Sequence, residues 1–514
     1  MPRKAVNPVR CVYSCDCSPE QICFQRFPPV IFFKCNFIET SCVKKPFIIP
    51  FLMLISFFSR AQAISGNWQG TLSAGPQKLK LVFHIKTDSV PAYLSSFDSP
   101  DQGAFGIACS ETRVKEDSLE ILIKMINGGY RGKWDGKNNI AGYYFQNGMD
   151  FPMDLSRSTD AAVVIIRPQT PRPPFPYNRE DLEYDNLVSG IHYSGTLTYP
   201  KSGGPFPAAI LITGSGQQDR DETLFGHKPF AVIADYLTRR GYAVLSVDDR
   251  GIGKSTGDLS NATSQDFAKD VESGIKQLQS RTEINQKKIG LIGHSEGGLI
   301  ASIVASENSH IDFIIMLAGP GLKGSELLEW QNEAIAHAQG ASDEMAEAVK
   351  KLSTSLIQAV LNSRDSIRLS EEAWKSFLSW KKNTNPATVT AMGLTDETNS
   401  RNFLRTQLDR LNNPWMIYFL QTDPATFISK LHCNVLALNG SKDIQVVPDQ
   451  NLAAIDSALK KSHAKNYSTE KLPGLNHLFQ HCKTCTVEEY GQLDETFAPE
   501  ALEKMGDWID KNVK

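Results

Sequence analysis

Apolar positions along the chain change their period twice. From Ile64 to about Arg157 they alternate over short runs such as "KLKLVFHI", "LEILIKMI" and "AGYYFQ". A period of two turns one strand face to a core and the other to water. Turns rich in Gly, Asp and Asn, as in "INGGYRGKWDGKNN", separate these runs, and no long helical period interrupts them. Residues 64–160 are therefore expected to form a small antiparallel β domain of about 95 residues. His84 lies in one of the alternating runs and reads as a packed or surface residue. Residues 161–180 follow as a linker, because "RPQTPRPPFPYN" has five prolines in twelve residues, which favours an extended, semi-rigid chain.

From residue 181 onward the pattern becomes continuous apolar runs separated by helical periods. "PAAILITGSG", "YAVLSVDDRG", "KKIGLIG", "FIIMLAG" and "CNVLALNG" read as strands buried on both faces. Between them, "PFAVIADYLTRRG" spaces Phe230, Ile233 and Leu237 helically and stops at Gly241. "SQDFAKDVESGIKQLQSR" puts Phe267, Val271, Ile275 and Leu278 on one face. The expected fold of residues 181–514 is α/β, a mostly parallel sheet covered by helices on both sides. The second change falls at residues 324–430. "ELLEWQNEAIAHAQ", "DEMAEAVKKLSTSLIQAVLNS" and "EEAWKSFLSWKK" are helical in pattern, with no strand run among them. We expect a helical lid inserted over the carboxyl ends of the strands, with Trp330, Trp374, Trp380 and Trp415 as candidates to line it or pack within it.

Candidate chemistry enters where the third run ends. Gly293-His294-Ser295-Glu296-Gly297 stands between a strand and the helix-like "GGLIASIVAS". A sharp strand-to-helix turn crowds the backbone two residues either side of its apex, so glycines belong there and the apical side chain is lifted into the cleft. Ser295 is thus the candidate nucleophile. A hydroxyl needs a base, and in this turn's setting the acid and then the histidine come later in the chain. Asp443 follows the run "VLALNG" and is the expected acid. Asp449 competes, but after Pro448 it reads as a first-turn residue of the next helix. His477, after "LPGLN", is the expected base, and His481 is expected on a following helical turn. Two N–H donors should meet the developing oxyanion, each worth ~3 kcal/mol. One is the N–H of Glu296, and the other is that of Ser215 or Gly216 in "LITGSGQQDRDE".

The stretches "ITGSGQQDRDE", "GHKPF", "DDRGIGKSTG", "IGHSEGG", "LALNGSKD" and "GLNHLFQ" resemble a bacterial α/β-hydrolase esterase family, similar to the serine aminopeptidase-like hydrolases. The resemblance covers most of residues 181–514 and extends more weakly to the β domain. It implies the α/β-hydrolase fold and hydrolysis of carboxylic esters by a triad carried here by Ser295, Asp443 and His477. Many such proteins have His-Gly at the oxyanion loop where this chain has Thr213-Gly214, which bears on that loop's shape. No cofactor is needed for this chemistry, and a small-molecule ester is the expected partner. An aminopeptidase or amidase on the same triad is the alternative, since Glu326, Glu329 and Glu333 of the insertion offer carboxylates for a substrate amine. A non-catalytic binding protein is the rival from another class.

Composition narrows the setting. The 514 residues carry a net charge of −3 with 22% charged, so there is no basic excess to suggest nucleic acid. Six of the ten cysteines fall in the first 42 residues, outside any strand or helix period. Next, "KKPFIIPFLMLISFFSRAQAISGNW" has the charged, apolar and A-x-A order of a secretory signal. Residues 44–63 are expected to be that signal, and 1–43 to lie upstream of the true start. The apolar run, Pro46 to Phe58, is shorter than the ~20 residues of a membrane span. A periplasmic or secreted protein without a stable span after cleavage is expected. "GIGKS" has Asp248 where a phosphate-binding loop needs glycine. "DDRG" reads as a structural Asp249–Arg250 pair near the cleft. "CKTC" lacks a second such pair for zinc, so a Cys482–Cys485 disulfide is the open possibility.

Overall fold

A computed structural model describes residues 64–513, apart from 75–76, 90–91, 103, 124–125, 127, 147–148, 160–166 and 364. The expected extension 1–43, the expected signal 44–63 and part of the linker lie outside the described residues. The first ten strands are β1 (Gly66–Ala74), β2 (Gln77–Ser89), β3 (Ala92–Ser99), β4 (Ala104–Ala108), β5 (Glu111–Lys115), β6 (Ser118–Ile123), β7 (Gly128–Trp134), β8 (Asn139–Gln146), β9 (Met149–Pro152) and β10 (Leu155–Ser158). They form one antiparallel sheet in the order β4-β3-β2-β1-β10-β8-β7-β6-β5, with β9 on β8. In β6 the buried positions alternate as Leu119, Ile121 and Ile123. They join Trp68, Phe83 and Tyr130 in the core. Each such side chain contributes ~1.5–3 kcal/mol by leaving water. His84 is buried there, held by Asp98 at 2.8 Å and Asn67 at 2.9 Å.

The second sheet comprises β11 (Asn178–Asn186), β12 (Ile191–Tyr199), β13 (Phe206–Ile212), β14 (Ala243–Val247), β15 (Ile284–His294), β16 (Ile311–Leu317), β17 (Asn434–Gly440) and β18 (Tyr467–Leu472). Its order is β11-β12-β14-β13-β15-β16-β17-β18. The sheet is mixed. β11–β12 and β12–β14 pair antiparallel, while the remaining five pairings are parallel. The strand-helix rhythm pointed to the parallel part only. β11, "NREDLEYDN", buries just Leu182 and Asn186, because an edge strand is covered on one side and keeps polar residues.

Helices α1 (Pro229–Arg239), α2 (Ser264–Gln279) and α3 (Glu296–Glu307) connect the central strands. Alternate residues of each strand enter opposite cores. Ile210, Leu245, Leu291 and Ile314 belong to one. Their neighbours Leu211, Val244, Ile292 and Ile315 belong to the other. Among the described residues, seven helices run between β16 and β17: α4 (Gly324–Ala338), α5 (Asp343–Asn362), α6 (Ser366–Asn383), α7 (Pro386–Ala391), α8 (Glu397–Leu411), α9 (Pro414–Gln421) and α10 (Ala425–Ile428). Side chains of Ser342, Asp365, Asn385, Asp396 and Asn413 cap five of them, each cap worth ~1 kcal/mol. Leu352, Phe377 and Leu404 of this insertion continue the core that Ile210 and Leu291 begin. After β17 come α11 (Pro448–Leu459), α12 (Val487–Tyr490) and α13 (Pro499–Asn512). Among the described residues, no helix is long and apolar enough to cross a membrane.

Candidate active site

Ser295 is the single residue between β15 and α3, with φ 54° and ψ −123°. Positive φ at a non-glycine residue costs ~1–3 kcal/mol, and surrounding bonds must hold it. The Ser295 N–H donates to Leu317 O at 2.8 Å, and Gly298 N–H donates to Ser295 O at 2.9 Å. The flanking glycines have a steric reason. A Cβ on Gly293 would lie 2.0 Å from Gly297 O, and one on Gly297 would lie 2.2 Å from Ile212 O. No larger residue fits either position while this turn is kept.

The loops after β17 and β18 bring Asp443 and His477 together. Asp443 Oδ1 accepts the N–H groups of Gln445 at 2.8 Å and Val446 at 2.9 Å. That fixes the carboxylate so that Oδ2 meets His477 Nδ1 at 2.8 Å. Both residues are buried. Neither Ser295 Oγ nor His477 Nε2 has a hydrogen bond to the described residues. Asp449 lies in the first turn of α11, as expected, where it is exposed and paired with Lys471. His481 is not helical. It forms a short bridge with Leu475 and pairs with Glu495 at 2.9 Å and Glu500 at 3.0 Å. The disulfide Cys482–Cys485 follows at once, and Glu489 accepts the N–H groups of Lys483, Thr484 and Cys485.

The loop after β13 abuts Ser295, since a Cβ on Gly214 would come within 3.3 Å of Ser295 Cβ. Gly214 N–H is already used, donating to Glu222 Oε1 at 2.8 Å. Ser215 and Gly216 are exposed, and their N–H groups meet no acceptor among the described residues. Gly216 has φ 97°, which glycine adopts freely. The N–H of Glu296 belongs to the first turn of α3, where helical geometry supplies no acceptor. The Glu296 side chain is buried and accepts from Ser264 Oγ at 2.6 Å and from Trp415 Nε1 at 2.8 Å. Burial raises the Glu296 carboxyl above the usual range, against the donation of Ser264, Trp415 and Ser215.

Several residues here escaped the sequence reading. Glu222 is buried at φ 53°, and nothing in "GQQDRDE" distinguishes it from its acidic neighbours. Arg220 forks onto Asp248 at 2.6 and 3.0 Å. The expected Asp249–Arg250 pair does not form. Asp249 accepts from Thr213 Oγ1 at 2.8 Å and Gln218 N–H at 2.9 Å, and Arg250 bonds Asp270 at 2.8 Å. Both residues lie past the end of β14, where the chain turns and Ile252 N–H donates to Asp249 O at 3.0 Å, and the two side chains meet different partners. Burial raises Asp249 well above the carboxylate range; Thr213 and Gln218 oppose this, while Glu222 and Glu296 add to it. Of the four tryptophans, Trp415 reaches the site. Trp330 lies under Lys350, Trp374 lies under Arg401, and Trp380 bonds Ala348 O, all within the insertion. Among the described residues, no group of three or more His, Cys, Asp or Glu side chains is placed to hold a metal ion.

Residues 228–419 match the family model "Serine aminopeptidase, S33". The chain is 32% identical over 149 residues to Esterase EstD of Thermotoga maritima, covering 29% of this chain and 35% of that protein. It is 31% identical over 127 residues to the uncharacterized protein YfhR of Escherichia coli K12, covering 24% and 41%. These matches span less than half of either relative's length. The crystal structure of the α/β hydrolase GrgF from Penicillium sp. sh18 is similar to 65% of this chain and 99% of that one, at 17% identity and TM-score 0.40. Residues 228–419 thus resemble the serine aminopeptidase family, and part of the chain resembles an esterase, in keeping with the motifs around Ser295.

Proposed function

We propose that the chain hydrolyses carboxylic esters of small molecules through an acyl-enzyme, with Ser295 as nucleophile, His477 as base and Asp443 as orienting acid. The observation that carries this reading is the Asp443–His477 pair, 2.8 Å apart, on loops at the same strand ends as the Ser295 turn. His477 Nε2 takes the Ser295 proton as Oγ bonds the ester carbon. Asp443 holds the tautomer and steadies the imidazolium. The N–H groups of Glu296 and of Ser215 or Gly216 receive the oxyanion. Collapse expels the alcohol, which leaves with the proton from His477. A water activated by His477 then attacks the acyl carbon and frees Ser295. In this reading α4–α10 act as a lid that shapes the acyl pocket, and the chain is exported, a setting in which the Cys482–Cys485 disulfide persists.

An aminopeptidase on the same triad is the second reading, favoured by the name of the matched family. Rates on matched esters and aminoacyl amides separate the two. The primary test is mass spectrometry of enzyme quenched while turning over an activated ester. An acyl adduct on Ser295 is expected, and Ser295→Ala should lose ~10⁶ in kcat. Asp443→Asn should cost ~10⁴, and Asp449→Asn should change little. An adduct elsewhere, failure of a fluorophosphonate to label Ser295, or equal losses at the two aspartates would refute this assignment. N-terminal sequencing of secreted protein tests the export reading, since a mature chain retaining Cys11 contradicts it.

A further inference from the structure

His294 stands beside the nucleophile, 6% exposed, and the triad leaves it without a part. Both of its ring nitrogens face acceptors. Nδ1 lies 3.0 Å from Glu222 Oε1. Nε2 lies 3.0 Å from the backbone oxygen of His477. A neutral imidazole has a single N–H and can serve only one of them. The His477 carbonyl has no proton to give, so the His294 Nε2–H must be spent there. A further proton must then lie between Nδ1 and Glu222. Glu222 Oε1 also accepts the Gly214 N–H at 2.8 Å, a bond that favours the charged carboxylate and so leaves the proton on the ring.

We propose that His294 is a buried imidazolium that ties the oxyanion loop to the histidine loop, and that it is a positioning residue for the hydrolysis proposed above. Through Glu222 it fixes Gly214, the residue against Ser295. Through its other nitrogen it fixes the backbone of His477, whose ring lies 4.8 Å from its own. The charge balance around it agrees. Burial opposes the charged ring, but Glu222, the His477 carbonyl and Asp443 outweigh burial and raise His294 above the ordinary histidine value. The ionisable groups around it come from every neighbouring loop. Glu222 lies on the loop after β13, and Asp443 and His477 on those after β17 and β18. Asp249, after β14, and Glu296, on α3, act on the same cluster. Deprotonation of His294 removes one of the two bonds, so activity should fall on the alkaline side.

The first test needs no turnover, so it separates this inference from the esterase reading. Ring ¹⁵N spectra of histidine-labelled protein, with His294 assigned by its loss in His294→Asn, should show a doubly protonated ring at pH 7. Glu222→Gln should return it to a neutral tautomer. A neutral His294 in the unaltered protein at pH 7 would overturn the proposal. The second test is kinetic. His294→Asn keeps a donor toward Glu222 and loses the one to His477. It should lower kcat roughly 10- to 100-fold, as a displacement of ~1 Å at the reacting groups does, with KM nearly unchanged. It should also abolish the alkaline limb, which Asp249→Asn should retain. His294→Gln, which reaches toward His477 instead, should recover part of the rate. Unchanged kcat and an intact alkaline limb in His294→Asn would overturn the positioning role even if the ring proves charged.

Discussion

The β domain and the helical insertion both reach the elements that flank Ser295, by opposite physical means. The β domain does so through Phe225, on the same loop as Gly214 and Glu222. Its ring packs against the core around Trp68 and Phe83, and lies edge-on to Tyr490 at 6.4 Å. Arg167 holds its carbonyl at 2.7 Å. The insertion does so through Trp415, whose indole N–H meets the buried Glu296 carboxylate. Apolar burial is non-directional and tolerates small shifts. A hydrogen bond to a buried carboxylate fixes a direction, and breaking it leaves a polar group unmatched. The β domain therefore bears on the loop after β13 through an apolar contact. The insertion sets how the first turn of α3 is held.

The largest effect should come from cutting the apolar tie. Phe225→Ala should destabilise the protein by about 2–3 kcal/mol, below the 3–5 of a fully buried ring, and should lower kcat by loosening Gly214. Denaturant midpoints and kinetics on one ester check both. Loss of stability without loss of rate would show that the β domain does not govern the loop.

Cutting the polar tie should cost less. Trp415→Phe keeps the ring and removes one donor, for a loss of about 1–2 kcal/mol. Its kinetic effect should be larger for long acyl chains than for short ones, because Trp415 belongs to the insertion. A double-mutant cycle with Glu296→Leu sharpens this. If the bond is the tie, Trp415→Phe should cost little once Glu296 is gone. Full additivity would mean that Trp415 acts by packing alone.

The smallest effect concerns Asp249, beneath the loop that joins these ties. Its folded pKa is raised, so over the window above the unfolded value of ~3.9 and up to the folded one, the native state holds more protons than the unfolded state. Its contribution to stability is therefore present at low pH and lost as pH rises through that window. Asp249→Asn should flatten the fall, and at neutral pH should leave stability unchanged or slightly higher. Denaturation midpoints across the acid-to-neutral range check the sign, and a variant whose stability falls more steeply than the parent's as pH rises contradicts it.

The turn at Ser295 was legible because its requirements are local. Gly293 and Gly297 are dictated by contacts within the turn and with the adjacent strand, and the strand and helix either side carry their own periods. Asp443 and His477 were legible from position, each on a loop just past an apolar run or a loop signal. The edge strand β11 was not, because covering on one side removes the continuous apolar run. The helical position expected of His481 failed because Leu475 draws it into a bridge that local spacing does not encode.

Sequence alone determined the two periods, the helical insertion and the glycine-flanked serine turn, since each follows from backbone sterics and nearest-neighbour side chains. The tertiary structure decided the rest of the site. Glu222 and His294 are 72 residues apart, and Trp415 and Glu296 are 119 apart. No local pattern marks such pairs. Whether a carboxylate is buried, which N–H of a glycine loop remains open, and how many protons a histidine holds all depend on which distant groups the fold brings within ~3 Å.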